Sequence, residues 1–277
     1  MAALLVNSSF ALESVASVPL LRIDGRTATD AREVDIDMAF KNGHARIRIG
    51  KTIVSVSVEG QIVIPAQDRP NEGRFFFNTE IGSLANPALY DNGKPTLLNV
   101  SLTNYVERVL RGSKAIDVES LCILGGKSVW SIRIEIHVLC DDGGLFDACS
   151  LAALCGIINF KRELVSVQGS RALQFSSESR SPIPFSMHHM PISSTFAIVQ
   201  TAAGVIWLAD PSFIEEQISG ATMISIAVNQ HGELCCMHKP GGIPMDCQLV
   251  SDCIEFAVLR AKGISAKLIA QIKVIGP

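Results

Sequence analysis

Apolar and polar residues alternate through the first third of the chain. Residues 33–40 (EVDIDMAF), 45–51 (ARIRIGK) and 52–64 (TIVSVSVEGQIVI) repeat with a period of two. That period puts one face of each strand on a core and the other on solvent. Asn42-Gly43 marks a hairpin turn between the first two strands, so an antiparallel meander is expected. A polar loop (QDRPNEGR) and a further strand (FFFNTE) follow. Thr96 to Lys114 carries apolar residues at helical spacing: Leu98, Val100, Leu102, Tyr105, Val106, Val109 and Leu110. ESLCILGG and SVWSIRIEIHVLC predict a second hairpin. In its long strand Trp130, Ile132, Ile134, Ile136 and Val138 share one face, and Ser131, Arg133, Glu135 and His137 the other. The turn DDGG ends that strand, and LFDACSLAALCGIINF reads as a helix buried on all sides.

Residues 161–190 are polar and rich in Pro and Ser, as at a joint between halves. Beyond it, STFAIVQ and GVIWLAD predict a hairpin. PSFIEEQIS predicts a short helix with Pro211 near its start. TMISIAVNQHGELCCMHK predicts another hairpin, turning at Asn229 to Gly232, and 246–272 a long closing helix. The order of elements in the first half therefore recurs, shortened, in the second. This is an α+β chain of two halves, 1–190 with an N-terminal helix (Leu4 to Val15) and 191–277, each with mixed sheets covered by helices.

Composition narrows the picture. Apolar residues make up 48% of the 277 positions and charged residues 18%, enough for a sizeable core. Mean hydropathy is +0.31, which fits either a Val/Ile/Leu-rich sheet under helices or surface reserved for partners. The net charge of −3 excludes a protein that is basic over its whole surface, so nucleic-acid contact would use local patches. Eight cysteines include no C-x-x-C pair and mostly lie in apolar runs, the usage of free thiols in a reducing compartment. The N-terminus lacks a basic n-region before Arg22, which argues against a signal peptide, and no segment has membrane-spanning length.

Several segments together carry a family resemblance. RIDGRTATDAR (22–32), VERVLRGSKAID (106–117), the run from DVESLCILGG to LFDACSLAA (117–153), HHMPISSTFAIV (188–199) and LADPSFIEEQ (208–217) resemble, in order and spacing, proteins of the RNase PH fold. The resemblance covers about residues 20–275, and ESLCI, VW-x-IR, HHMPI and FFFNTE make it similar to non-catalytic ring subunits of the exosome. It implies an RNase PH-like (ribosomal protein S5 domain 2-like) fold and no cofactor. It also implies RNase PH-type neighbours in a ring, S1/KH cap subunits, single-stranded RNA, and a place in nucleus, nucleolus and cytoplasm.

The resemblance also sets out the chemistry to look for. A phosphate-using exonuclease must cradle a multivalent anion with a guanidinium fork and helix N-terminal amides. Active relatives place Thr-Arg-Thr after Asp-Gly-Gly. Here Asp142-Gly143-Gly144 is followed by Leu145, Phe146 and Asp147, a phenyl where the guanidinium belongs and a carboxylate that would repel phosphate. Asp210 and Glu216 fall at the acidic positions of active members, as vestiges or as solvated helix-start carboxylates. Arg108, Arg111 and Lys114 are spaced to share a helix face, which the family would use for RNA phosphates; the alternative is a solvated edge pairing with Glu107. Arg69 and Arg74 flank a loop that would approach the ring channel, or form an ordinary hairpin loop. His188-His189 and Cys235-Cys236-x-His238 fit no closed zinc site, so no metal is expected. The rival reading is an active phosphate-dependent 3′–5′ exoribonuclease.

Overall fold

The structure is a computed structural model that describes residues 10–15, 22–38, 42–86, 96–168, 171–174, 182–201, 204–218 and 222–275. Of the expected N-terminal helix, residues 10–15 are helical (α1), and the remainder lies outside the described residues. The alternating segments form β1 (Val34–Asp37), β2 (His44–Ile49) and β3 (Thr52–Val63), paired antiparallel as a meander. β4 (Arg74–Ile81) does not extend it. The sheet order is β1-β2-β3-β6-β4, with β4 parallel to β6 (Ser128–Cys140), and β5 (Cys122–Leu124) pairs with β6. A parallel pair needs a crossover, which α2 (Leu97–Glu107) supplies. Thr96 caps α2 by accepting the Asn99 amide at 3.3 Å.

The predicted single helix to Lys114 changes character. Arg108–Gly112 is a π-helical turn, and Lys114 leaves it with φ +57°. The wider turn alters the spacing of residues beyond Glu107.

α3 (Leu145–Asn159) is buried over most of its surface, as its largely apolar sequence implies. It packs on β2 and β3 and also on β11 of the second half (Ile192–Thr201). Gly156 permits this approach: a Cβ there would lie 2.8 Å from a Val56 methyl. Between the halves, β7 (Lys161–Arg162) pairs with β10 (Ile183–Pro184), and β8 (Val165–Gln168) with β9 (Arg171–Gln174). The Ser-rich part of this joint, 175–181, lies outside the described residues.

The second sheet runs β12 (Gly204–Ala209), β11, β13 (Thr222–Val228), β14 (Leu234–His238), all antiparallel. α4 (Phe213–Glu216) follows β12, and α5 (Cys247–Ile275) packs on β11 and β13 and reaches β1. One core cluster joins both sheets through α3 and α5, from Ile47 and Val56 to Phe196 and Ala257. No helix among the described residues is long and apolar enough to cross a membrane.

Candidate functional site

The turn before α3 is built tightly. Gly143 (φ +82°) and Gly144 (φ +70°) both take backbone angles that disfavour a side chain. Thr52 braces the turn, its hydroxyl donating to the Gly143 carbonyl at 2.7 Å and accepting the Asp142 amide at 3.1 Å. The Phe213 amide donates to the Asp142 carbonyl at 3.1 Å, which brings α4 against the α3 N-terminus. A helix N-terminus there would suit an anion. Here the Gly144 amide already donates to Glu216 Oε1 at 2.8 Å. The chain's own carboxyl occupies the place.

Around this turn lies a network of four arginines. Arg22, 1% exposed, makes a bidentate pair with Glu215 (2.8 and 2.6 Å) and donates to the carbonyls of Ala209 and Asp210. Arg32 grips Asp210 through Nε (2.9 Å) and Nη2 (2.7 Å) and donates to the Asp142 carbonyl at 2.8 Å. Arg26 pairs with Asp24 and Asp210. Arg260 pairs with Asp147 at 2.9 Å. With Asp142 and Glu216, six carboxyl groups surround four guanidiniums, leaving no net positive charge to attract phosphate.

One alternative read from the sequence is corrected here. Asp210 is fully buried and half-buried Glu216 is turned inward, so neither is a helix-start carboxylate on a solvated face. Burial alone would raise Asp210, but Arg32 and Arg260 outweigh it and hold the carboxyl at about 2. Burial pushes Glu216 up to about 8, reinforced by Asp141 and Asp147 and opposed by the Gly144 amide and Arg32. Asp147 is turned inward as well. It is 2% exposed and accepts from the Thr195 hydroxyl (2.6 Å), the Thr195 amide (3.0 Å) and Arg260 (2.9 Å), so it ties α3 to β11 and α5. A fully buried helix has no solvent side, so its first-turn carboxylate must find partners inside.

Leu145 is buried. Phe146 turns toward Tyr105, edge-on at 5.1 Å, and His238 at 5.7 Å. Burial and the charge of Arg108 both lower His238, favouring a neutral ring beside Phe146. An aromatic cluster of Tyr105, Phe146 and His238 thus stands beside the turn before α3.

The basic candidates divide. Arg69, Arg74 and Arg111 line one groove of about 430 Å³ with Phe76, although Arg111 lies far from the other two in sequence. Arg108 is not among its lining residues; it lies near Cys236 and His238. Arg108, Arg111 and Lys114 are all exposed, but the π turn prevents the single shared face expected of them. Arg111 pairs with Glu107 at 3.0 Å and Arg69 with Glu72 at 3.1 Å, both at the surface. Such pairs contribute about 0–1 kcal/mol and are easily exchanged for a phosphate. His188 and His189 serve local structure: the His188 amide donates to the Ala115 carbonyl, and the His189 ring meets the Ser113 carbonyl. Among the described residues no group of three His, Cys, Asp or Glu side chains could hold a metal.

Reasoning from sequence missed Arg22, Arg32, Arg260 and Glu215. One signal was readable: Ser212-x-x-Glu215 forms a capping box, with Glu215 Oε2 accepting the Ser212 amide at 2.7 Å. The arginine partners lie more than a hundred residues away and leave no local pattern.

Comparison with known proteins gives a consistent result. Two models match in order: the 3′ exoribonuclease family, domain 1, over residues 30–163, and the same family, domain 2, over residues 189–259. The exosome complex component RRP45 of Danio rerio is 39% identical over 88% of this chain, which spans 61% of that relative's length. The Homo sapiens protein of that name is 38% identical over 91% of this chain, which spans 54% of it. The chain thus covers less than two thirds of these two relatives. The Arabidopsis thaliana component RRP45A is 36% identical over 94% of this chain and 84% of its own length. Among solved structures, a chain of the Archaeoglobus fulgidus exosome with RNA bound to the active site superposes with a TM-score of 0.82 at 27% identity, covering 96% of this chain and 99% of that one. With both domain models matched and a relative covered over most of its length, the chain belongs to the RNase PH-type 3′ exoribonuclease family and is similar to proteins named exosome complex component RRP45.

Proposed function

We propose that this chain is a non-catalytic, RNA-binding structural subunit of an exosome core ring, acting in 3′–5′ RNA processing and degradation. One observation carries the non-catalytic part: the α3 N-terminus is occupied by Glu216 at 2.8 Å. A phosphorolytic site needs that amide free and an available guanidinium fork beside it, and each of the nearby arginines is paired with an internal carboxylate. The ring part rests on the RRP45-named relatives and the exosome structures above. Its neighbours would be other RNase PH-type subunits and S1/KH cap subunits. Its ligand would be single-stranded RNA, met at the Arg69, Arg74 and Arg111 groove and at exposed Arg108 and Lys114. The complex would work in nucleus, nucleolus and cytoplasm.

The test has two arms. Affinity purification with mass spectrometry should recover the chain with RNase PH-type and S1/KH proteins. In that complex, reversing Arg69, Arg74 and Arg111 to Glu should weaken RNA binding and flatten its salt dependence. Each lost phosphate contact lowers the slope by about 0.7. A chain isolated without partners, or an unchanged slope, would sink the reading.

A further inference from the structure

We propose that Phe76 is a nucleobase-stacking platform, receiving one base of a single-stranded RNA where two grooves of the first sheet meet. This rests on the RNA-binding reading above and adds a mode of recognition to it.

β4 alternates, with Phe75 at 7% exposure directed into the core and Phe76 at 52% directed out. The outward positions nearby on β3 and β6 are polar: Ser57, Glu59 and Gln61, then Ser131, Arg133 and Glu135. Phe76 is the one aromatic ring among these nearby outward positions, with half of it left exposed. In the parallel register Phe76 lies opposite Arg133, and Arg74 precedes it by two residues on the same side. Two grooves, of about 430 and 260 Å³, are both lined by Arg74 and Phe76. The first adds Arg69 and Arg111, the second Arg133 and Gln61.

The charge pattern explains why an aromatic ring is needed. Arg69 and Arg111 are partnered by Glu72 and Glu107, and Asp68 and Glu59 also line the grooves. Net attraction for phosphate is therefore modest. Among the described residues Arg74 and Arg133 form no ion pair, which leaves two guanidiniums flanking the ring for the backbone on either side of one base. An aromatic face with flanking cations is the combination that holds single strands without regard to sequence, because every base has a π-face.

The experiment uses the purified complex with three forms of the chain: unmodified, Phe76→Ala and Phe76→Trp. The probes are a ten-nucleotide oligoadenylate and an abasic strand of equal length. Phe76→Ala should weaken oligoadenylate binding on the order of tenfold and leave abasic-strand binding unchanged. Phe76→Trp should retain binding and show tryptophan quenching by oligoadenylate beyond that of the unmodified complex. Equal loss for both probes, no loss for either, or release of a subunit from the Phe76→Ala complex would overturn the proposal; subunit release would mark this face as a protein interface. The triple arginine reversal separates the two ideas. If it weakens RNA binding while Phe76→Ala is silent, stacking fails and the RNA reading stands. If neither change matters, both fail.

Discussion

Replacing Asp147 with alanine should destabilise the chain severely, because the carboxylate is a strut. It receives three hydrogen bonds, from the Thr195 hydroxyl, the Thr195 amide and Arg260. The Arg260 side chain is 7% exposed, so it cannot recover by turning to water. Removing one member of a buried ion pair costs about 3–5 kcal/mol, since the other charge stays buried. The Thr195 donors add roughly 1 kcal/mol or more. Against a typical total of about 5–15 kcal/mol, this brings the chain close to unfolding. Urea unfolding followed by tryptophan fluorescence suits the measurement, with Trp130 buried in the first sheet. The double change Asp147→Leu with Arg260→Met should recover much of the loss, because it removes both charges together. If Asp147→Ala lost less than about 1 kcal/mol, or if the two changes were simply additive, the carboxylate would not be tied inward as described.

Two further predictions concern pH. The raised Glu216 carboxyl, at about 8, means that the folded state holds its proton while the unfolded chain has released it, so this group makes stability fall as pH rises from about 4.5 to 8. Glu216→Gln keeps an acceptor for the Gly144 amide, and should raise the melting temperature at pH 8 while changing it little at pH 4. A uniform shift at both pH values would contradict this. The lowered Asp210, at about 2 against 3.8, contributes about 2 kcal/mol that is present above pH 4 and lost as pH falls toward 2. Asp210→Asn should flatten the acid limb of the stability–pH curve, and an unchanged limb would show that Arg32 does not hold it.

The sequence made some layers legible and hid others. The period of two in β2, β3 and β6 identified their inward faces, because alternation is set by backbone geometry alone. The largely apolar α3 read correctly as a buried helix. That same burial hid Asp147, since a helix without a polar stripe gives no hint of where its one carboxylate points. β4 was visible as a strand, but its parallel place beside β6 depends on the crossover through α2. The π turn at Arg108–Gly112 has no marker in the residues, and it separates Arg108 from the groove that Arg111 enters. The arginine network was hidden because its pairs join the N-terminal segment and α5 to residues around α3 and α4. Phe146 was noticed for the side chain it replaces; its packing on Tyr105 and His238 emerges only when α2, α3 and β14 come together.

On the reading proposed above, this chain keeps the fold of the 3′ exoribonuclease family while Glu216 takes the amide at the α3 N-terminus that an anion would use. The most direct measurement is incubation of the purified chain with single-stranded RNA, with and without inorganic phosphate, followed by separation of the products. Intact RNA and no nucleoside diphosphates are expected under either condition. Phosphate-dependent release of nucleoside diphosphates by the chain alone would contradict that reading.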